Sequence, residues 1–278
     1  RPGAAARVLN TSQAQAKMTR RVLVTGGAHR LGAQICTEFA QAGWEVWCHH
    51  ARSADAAHAL QAQLRAQGLL VHTIAADLAL EAERGHLVRT ITEGAGPLHC
   101  VVNNASLFEP DHGLDFDPAL ARSQLEVNLI APLTLARDLA RQMAAQAAPE
   151  DASVIHVLDQ KVFNLNPDYF SYSISKLALE RAVALQAQAL SPHVRVCGVA
   201  PGLMFLSGPQ AQANFDRASR VNLLRRPIDP VDVARSCLFL AQTPSITGST
   251  LSVDNGQHLV PLERDVMFVV DELMKAPQ

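Results

Sequence analysis

Apolar and polar positions along the chain alternate between two patterns. Short apolar runs rich in β-branched residues are separated by alanine-rich stretches in which apolar residues recur at helical spacing. The apolar runs predict seven strands, at 21–25, 45–49, 70–75, 99–103, 153–158, 194–199 and 249–253. The alanine-rich stretches predict helices that include 33–42, 54–66, 119–147 and 173–189.

The strand-like runs are almost continuously hydrophobic, which is typical of a parallel sheet covered by helices on both faces. Strand and helix alternate without a repeat, a composition shift or a low-complexity linker. We therefore expect an α/β fold, with a single doubly wound Rossmann domain over residues 21–278 and a seven-stranded parallel sheet flanked by helices.

Two segments depart from this alternation. Residues 1–20 are basic, free of acidic residues and aperiodic, which predicts a disordered leader or an expression remnant, with a transit peptide as the alternative. Residues 201–230 mix Pro, Gly and Ser with the apolar Met204, Phe205, Leu206 and Phe215. This pattern predicts a lid over a substrate, and an ordinary surface excursion is the alternative.

Composition narrows the class of partner. The net charge of -2 gives no long-range field for nucleic acid or anionic lipid, so a small-molecule partner is favoured. The five cysteines are odd in number and widely spread, which predicts neither a disulfide framework nor a metal site and favours a reducing cytoplasm. No apolar stretch approaches the roughly 18 to 20 residues that cross a bilayer.

The sequence TGGAHRLG follows the first predicted strand and leads into a helix. Gly26 permits a tight turn, Gly32 allows close packing of the helix, and the helix amides can bind a pyrophosphate. The turn also carries His29, Arg30 and Leu31, and the first two add positive charge. Doubly wound sheets bind dinucleotides at this first turn, although glycine-rich turns also occur without a ligand.

The second strand ends in CHHARS, which lacks the acidic residue that would bind a ribose 2'-hydroxyl. Arg52 and Ser53 instead suit a 2'-phosphate, so NADPH is preferred to NADH, with solvated basic loop residues as the alternative. Asp77, with Leu78 beside it, is predicted to accept from the adenine amino group. In the turn NNAS, Asn104 and Ala105 are expected to line the nicotinamide ribose, although such turns are common.

The sequence YSISK separates Tyr172 and Lys176 by four residues at the start of a predicted helix. Both side chains therefore lie on one face. The ammonium is expected to lower the pKa of the phenol from about 10, which improves proton transfer near neutral pH.

The ordered motifs TGGAHRLG, NNAS, VNLIAP, YSISK, APG and ITGSTLSVDNG resemble the short-chain dehydrogenase/reductase family over residues 21–260. The resemblance implies that Tyr172 donates a proton, that Lys176 holds the nicotinamide ribose, and that Asn128 supports a water relay to Lys176. It also implies that Pro201 and Gly202 border the nicotinamide amide. A homotetramer with the helices at 119–147 and 173–189 in an interface is implied as well.

Asp159 stands thirteen residues before Tyr172, where the family normally has a serine. A serine hydroxyl donates to a developing alkoxide, whereas an ionised carboxylate repels one, so ordinary ketone reduction is disfavoured. Reduction of a ring C=N bond needs a proton at nitrogen, and a carboxyl coupled to Tyr172 can hold or orient it. The substrate is therefore predicted to be a heterocycle.

This Asp, Tyr, Lys arrangement resembles pteridine reductases and the related dihydromonapterin and alternative dihydrofolate reductases. Arg30 in place of the middle glycine, and Ser106 and Phe108 after NNA, match the pteridine reductases. The likeness implies that Arg30 reaches the cofactor phosphates and the pterin, and that Phe108 stacks on the pterin. A structural aromatic is the alternative for Phe108, and an incidental polar residue for Asp159.

These features predict an NADPH-dependent reductase of a pterin-like heterocycle, without a metal. One alternative is a short-chain reductase of another carbonyl or imine, with a protonated Asp159 donating as serine would. Another is a non-catalytic cofactor-sensing protein, against which Tyr172, Lys176 and Asn128 argue.

Overall fold

The computed structural model describes residues 19–147, 151–207 and 210–273, so residues 1–18 of the predicted leader lie outside it. Seven parallel strands form one sheet in the order β3-β2-β1-β4-β5-β6-β7 within these residues. The strands are β1 Arg21–Val24, β2 Glu45–His50, β3 Val71–Ala75, β4 Cys100–Asn103, β5 Ser153–Val157, β6 Arg195–Pro201 and β7 Thr250–Val253. The predicted fold class and all seven predicted strands are confirmed.

Ten α-helices lie in the described part of the chain. They are α1 Arg30–Gln41, α2 Ala54–Arg65, α3 Glu81–Arg84, α4 Leu87–Ala95, α5 Pro118–Leu125, α6 Ala131–Ala144, α7 Phe170–Ala189, α8 Gln212–Ala218, α9 Pro230–Gln242 and α10 Val266–Leu273. Helices α1, α2 and α9 contribute buried residues to one apolar cluster, and α4 and α6 to a second. Helices therefore cover the sheet in two layers, and the central strands β4 and β5 are buried along their whole length.

Short polar sequences set where several helices begin. The Asp117 side chain accepts from the amide of Ala119 at the start of α5, and Asp229 accepts from Val231 at the start of α9. Each aspartate is followed by a proline, whose fixed φ suits the first helical position.

The predicted helix at 119–147 is not continuous. A single π-helical turn, Glu126–Ile130, separates α5 from α6 and contains Asn128. Such turns shift the positions of side chains along a helix and are frequent at functional sites. Hydropathy periodicity could not reveal the break, because α5 and α6 both keep the helical spacing.

The sheet has its topological switch point between β1 and β4. Strand order runs outward in both directions from this pair, and the carboxyl ends of such strands border the crevice of a doubly wound fold. The predicted lid begins at the end of β6, includes α8, and packs through Ala218 on Val266 and Val270 of α10. Among the described residues, no helix has the length and apolar character needed to span a membrane.

Candidate active site

The glycine turn after β1 is shaped by two close backbone approaches. Gly26 has φ +60°, and a Cβ there would lie 3.0 Å from the Cα of Ala105. A Cβ on Gly32 would lie 2.0 Å from the carbonyl oxygen of Gly26. Only glycine fits at these two positions without a backbone shift.

The glycine turn and the NNAS turn form one hydrogen-bonded unit. The Thr25 hydroxyl oxygen accepts from the amides of Asn104 and Ala105, both at 3.0 Å. The side-chain amide of Asn104 donates to the carbonyls of Thr25 at 3.0 Å and Gly26 at 3.1 Å. The ends of β1 and β4 are thereby fixed to each other before any ligand binds.

His49, which the sequence analysis did not single out, supports the same turn from β2. Its Nδ1 accepts from the amide of Gly26 at 3.2 Å, and its Nε2 lies 3.0 Å from the carbonyl of Ala76. Burial lowers the pKa of His49 to about 4, so the ring is neutral at physiological pH. This pairing requires the proton on Nε2, and it connects the glycine turn to the end of β3.

The start of α1 is suited to an anion. His29 gives α1 no side-chain cap within the described structure, and the first turn of the helix has no acidic residue. The first amides of the helix are thus free of a competing carboxylate. Arg30 has φ +47°, in the left-handed region that favours glycine, and its guanidinium lies 6.0 Å from the centre of the Phe205 ring. A strained backbone that directs a cation towards a cleft indicates a functional position.

The residues predicted for the adenosine end follow β2 and β3, which are neighbours in the sheet. Arg52 is exposed, and Ser53 precedes α2 without capping it through its side chain. The Asp77 carboxylate accepts from the amide of Ala79 at 2.9 Å, and Leu78 is buried. The cationic Arg52 fits a phosphate group, although the first turn of α2 also carries the acidic Asp55.

A cavity of about 280 Å³ lies at the carboxyl edge of the sheet. The predicted site residues that line it are Arg30, Leu31, Asn104, Ser106, Phe108, Asp159, Tyr172, Lys176, Pro201 and Gly202. The remaining predicted site residues, which do not line it, are Gly26, His29, Arg52, Ser53, Asp77, Leu78, Ala105 and Asn128. The fold thus brings the predicted catalytic and substrate residues other than Asn128 into one cleft.

Asp159 and Tyr172 are directly hydrogen bonded in this cavity. The Tyr172 hydroxyl donates to Oδ2 of Asp159 at 2.8 Å, and the amide of Lys161 donates to Oδ1 at 2.8 Å. Burial, together with the negative charge of Asp159, raises the pKa of Tyr172 well above its ordinary value. Tyr172 is therefore protonated at neutral pH.

The prediction that Lys176 lowers the pKa of Tyr172 is wrong for this arrangement. The Lys176 ammonium donates to the carbonyl of Val157 at 2.8 Å and lies 5.8 Å from the centre of the Tyr172 ring, so the hydroxyl has a carboxylate as its neighbour. Burial lowers the pKa of Lys176 to about 8, against the opposing effect of Asp159. Helical spacing predicted a shared face but not which group the hydroxyl meets.

Asn128 is fully buried and uses both ends of its amide. Its oxygen accepts from the amide of Leu107 at 2.7 Å and from the hydroxyl of Ser106 at 3.2 Å. Its nitrogen donates to the carbonyl of Leu107 at 2.9 Å and to the hydroxyl of Ser175 at 3.0 Å. Asn128 therefore fixes the segment before Phe108 to α7, and the water relay to Lys176 stays a prediction.

Phe108 has an aromatic support behind it. Its ring stacks on Tyr169 with centroids 4.1 Å apart, and makes a T-shaped contact with the Tyr172 ring at a centroid distance of 4.7 Å. Tyr169, which does not line the cavity, is buried and has φ +55°. Phe108 does line the cavity, so its position and orientation are set from within the protein.

The sequence analysis missed two ion pairs, one of which lies in the wall of the cavity. The buried Lys161 ammonium lies 2.9 Å from a carboxylate oxygen of Asp265, and both residues line the cavity. Arg264 binds both carboxylate oxygens of the buried Asp168. No short motif marks these residues, because each pair joins the segment after Asp159 to the start of α10.

Comparison with known proteins places this geometry in a family. A profile described as short chain dehydrogenase matches residues 20–215. The FolM alternative dihydrofolate reductase 1 from Brucella canis, complexed with NADP, has a TM-score of 0.81 and 36% identity, covering 86% of this chain and 94% of that one. An acetoacetyl-CoA reductase of Allochromatium vinosum is 28% identical over 246 residues, covering 86% of this chain and 98% of its own.

An uncharacterized oxidoreductase of Mycobacterium tuberculosis is 31% identical over 240 residues, covering 84% of this chain and 90% of its own. The extent of the family match shows that the chain belongs to the short chain dehydrogenase family. It is an oxidoreductase of that family, and its fold is similar to that of FolM.

Proposed function

We propose that this protein is an NADPH-dependent reductase of a pterin-like heterocycle. The observation that carries the proposal is the hydrogen bond between Tyr172 and Asp159 in a cavity that Phe108 also lines. Asp159 occupies the position of the usual serine, and its pairing with the tyrosine makes it part of the proton-transfer site.

The cofactor proposal rests on the charge and backbone of the first two turns. Gly26 and the free amides of α1 suit a pyrophosphate, and Arg52 with Ser53 suits a 2'-phosphate. FolM from Brucella canis, which is similar over most of the chain, was solved with NADP. NADPH supplies the hydride when bound, and Lys176 with Asn104 would border its nicotinamide ribose.

Proton delivery is the task of the Asp159–Tyr172 pair. Tyr172 is protonated at neutral pH, but its raised pKa makes it a weaker acid than a free phenol, so its proton transfer depends on coupling to the Asp159 carboxyl. Reduction of a C=N bond places a hydride on carbon and this proton on nitrogen. A carboxyl at 2.8 Å can hold a proton and pass it to the phenol oxygen, which serine cannot do.

The substrate proposal rests on a flat apolar surface beside hydrogen-bonding groups. Phe108 presents a supported ring to the cavity, and the Arg30 guanidinium lies on the Phe205 side of the same cavity. A planar, polar heterocycle can stack on the first while its oxygen or nitrogen atoms bind the second. The segment at 201–230 is proposed to close over it as a lid.

The proposal also includes a homotetrameric assembly and a cytoplasmic location. Ile174 and Leu185 of α7, and Ile130 at the end of the π-helical turn before α6, are exposed apolar side chains, which suits a homotetramer with these helices in an interface. All five cysteines are free and buried, which is consistent with a reducing cytoplasm.

Turnover of several substrates in parallel tests the proposal. Oxidation of NADPH should be followed with dihydrobiopterin, dihydromonapterin, dihydrofolate and acetoacetyl-CoA, and each assay repeated with NADH. We expect a pterin to be the best substrate and NADPH the better cofactor. Turnover of acetoacetyl-CoA alone would favour the carbonyl-reductase alternative, and no turnover of any substrate would favour the cofactor-sensing alternative.

A further inference from the structure

Most buried polar side chains around the cavity have partners within the protein. Lys161 bonds to Asn166 and Asp265, and the Gln257 oxygen accepts from the amide of Leu203 at 2.8 Å. Gln210 is similarly occupied, because its nitrogen donates to Asn214 at 2.8 Å and its oxygen accepts from the amide of Ser207 at 3.2 Å. These side chains serve the structure of the pocket.

Gln160 is different. It follows Asp159 directly, lines the cavity, and is 7% exposed. Its side-chain oxygen is buried and has no hydrogen-bond partner within the described structure. The other residues with such an unpartnered buried atom do not line this cavity.

The unpartnered buried oxygen of Gln160 needs an explanation, because leaving a polar group without a hydrogen bond destabilises the fold. Structural amides in folded proteins are almost always bonded, as Gln210 and Gln257 are. Gln160 instead lies in the wall of a ligand cavity with its amide oxygen buried and unpartnered. A bound molecule that turns this amide towards the cavity would supply the missing partner.

We propose that Gln160 determines substrate specificity by binding a donor–acceptor edge of the heterocycle. A carboxamide presents an N–H donor and a C=O acceptor side by side, and a half-turn exchanges them. The complementary ligand edge is a cyclic amide, with N–H beside C=O, in the way that Gln pairs with a base edge. The inference rests on the proposed function, because it assumes a nitrogen heterocycle in this cavity.

The position of Gln160 connects recognition to chemistry. Asp159 accepts from Tyr172 on one side of the same turn, and the amide of Lys161 holds the Asp159 carboxylate on the other. A ring bound by the Gln160 amide is therefore oriented against the proton-donating pair. Gln160 binds and orients the substrate, whereas the proton transfer belongs to Asp159 and Tyr172.

Gln160→Met tests this inference, with Gln210→Met as the matched control. Methionine keeps the length of the side chain and removes both hydrogen-bonding groups. For Gln160→Met we expect the KM of the best dihydropterin to rise about tenfold or more, with kcat within about threefold and the Kd of NADPH unchanged. Its unfolding temperature should not fall, because an unpartnered group is removed.

Gln210→Met should show the reverse pattern, namely a lower unfolding temperature and a smaller change in KM, because it loses bonds within the protein. Gln160→Glu keeps the shape and the acceptor but loses the donor, and we expect it to raise KM as well. This variant replaces Gln160→Met as the test if the methionine variant fails to fold. A parent enzyme that reduces dihydropterins while both Gln160 variants keep its KM would overturn the inference alone. A parent enzyme that reduces no dihydropterin would overturn the proposed function and this inference with it.

Discussion

The cofactor side and the substrate side of the cleft are built in different ways. On the cofactor side, Gly26, Thr25 and Asn104 form a short network of backbone and hydroxyl bonds between adjacent strand ends. On the substrate side, the wall is held by the ion pairs of Lys161 with Asp265 and of Arg264 with Asp168, which join distant parts of the sequence.

This difference has consequences for what each side can change. The cofactor side depends on backbone positions that only glycine fits, so the fold itself determines the shape of this binding site. The substrate side depends on side chains, which can be exchanged without moving the sheet. We therefore expect substitutions on one side to leave binding on the other side largely intact.

The largest effect is expected at Tyr172, where the two sides meet. Tyr172→Phe should lower turnover by a factor of about 100 to 10,000, because it removes the proton donor, while the Kd of NADPH stays the same. Single-turnover kinetics and cofactor titration measure the two quantities. Lys176→Ala, as a comparison, should weaken both, and near-normal turnover in Tyr172→Phe would exclude Tyr172 from the mechanism.

Lys161→Met should affect the stability of the protein and the substrate side of the cleft without affecting the cofactor side. The change leaves the Asp265 carboxylate beside the cavity without its ammonium, which should lower the free energy of unfolding by about 3 kcal/mol. Thermal unfolding measures this loss, and the KM of a pterin should rise while NADPH affinity is kept. The double variant Lys161→Met with Asp265→Asn should recover part of the stability; equal loss of NADPH and pterin affinity would contradict the separation.

His49 tests the cofactor side through pH. The folded-state pKa is about 4 and the unfolded value about 6.5, so the unfolded chain takes up the proton first and stability falls as pH drops from 6.5 towards 4. The full loss is about 3 kcal/mol for this residue. Unfolding temperatures at pH 7.5, 6 and 5 should show a shallower decline in His49→Gln. His58→Gln, at an exposed position on α2, should behave as the parent.

Phe108→Ala gives the smallest effect in this series. Loss of stacking worth about 0.5 to 1.5 kcal/mol beyond area burial should raise the KM of a pterin severalfold, with NADPH affinity unchanged. Initial-rate kinetics and cofactor titration measure the two effects. An unchanged KM would mean that Phe108 has only the structural role of packing on Tyr169.

The sequence predicted the cofactor side better than the substrate side, for physical reasons. Strand β1, the glycine turn and the NNAS turn are local patterns, so their residues and their place in the sheet follow from periodicity and turn chemistry. The roles of Lys161, Asp265 and the unpartnered Gln160 oxygen become visible only through tertiary contacts. The π-helical turn at Asn128 could not be read from spacing, because the helices on both sides of it keep the helical period, whereas the coupling of Asp159 to Tyr172 was predicted from their thirteen-residue separation.

The most direct test of the central claim is a comparison of Asp159→Ser with Asp159→Asn, using a dihydropterin and acetoacetyl-CoA as substrates. Both changes remove the group that can hold a proton for Tyr172, so pterin turnover should fall by about two orders of magnitude in each. Serine also restores a donor for a developing alkoxide, so activity on acetoacetyl-CoA should hold or rise in Asp159→Ser. Pterin turnover equal to that of the parent in Asp159→Ser would contradict the account and favour the general carbonyl-reductase mechanism.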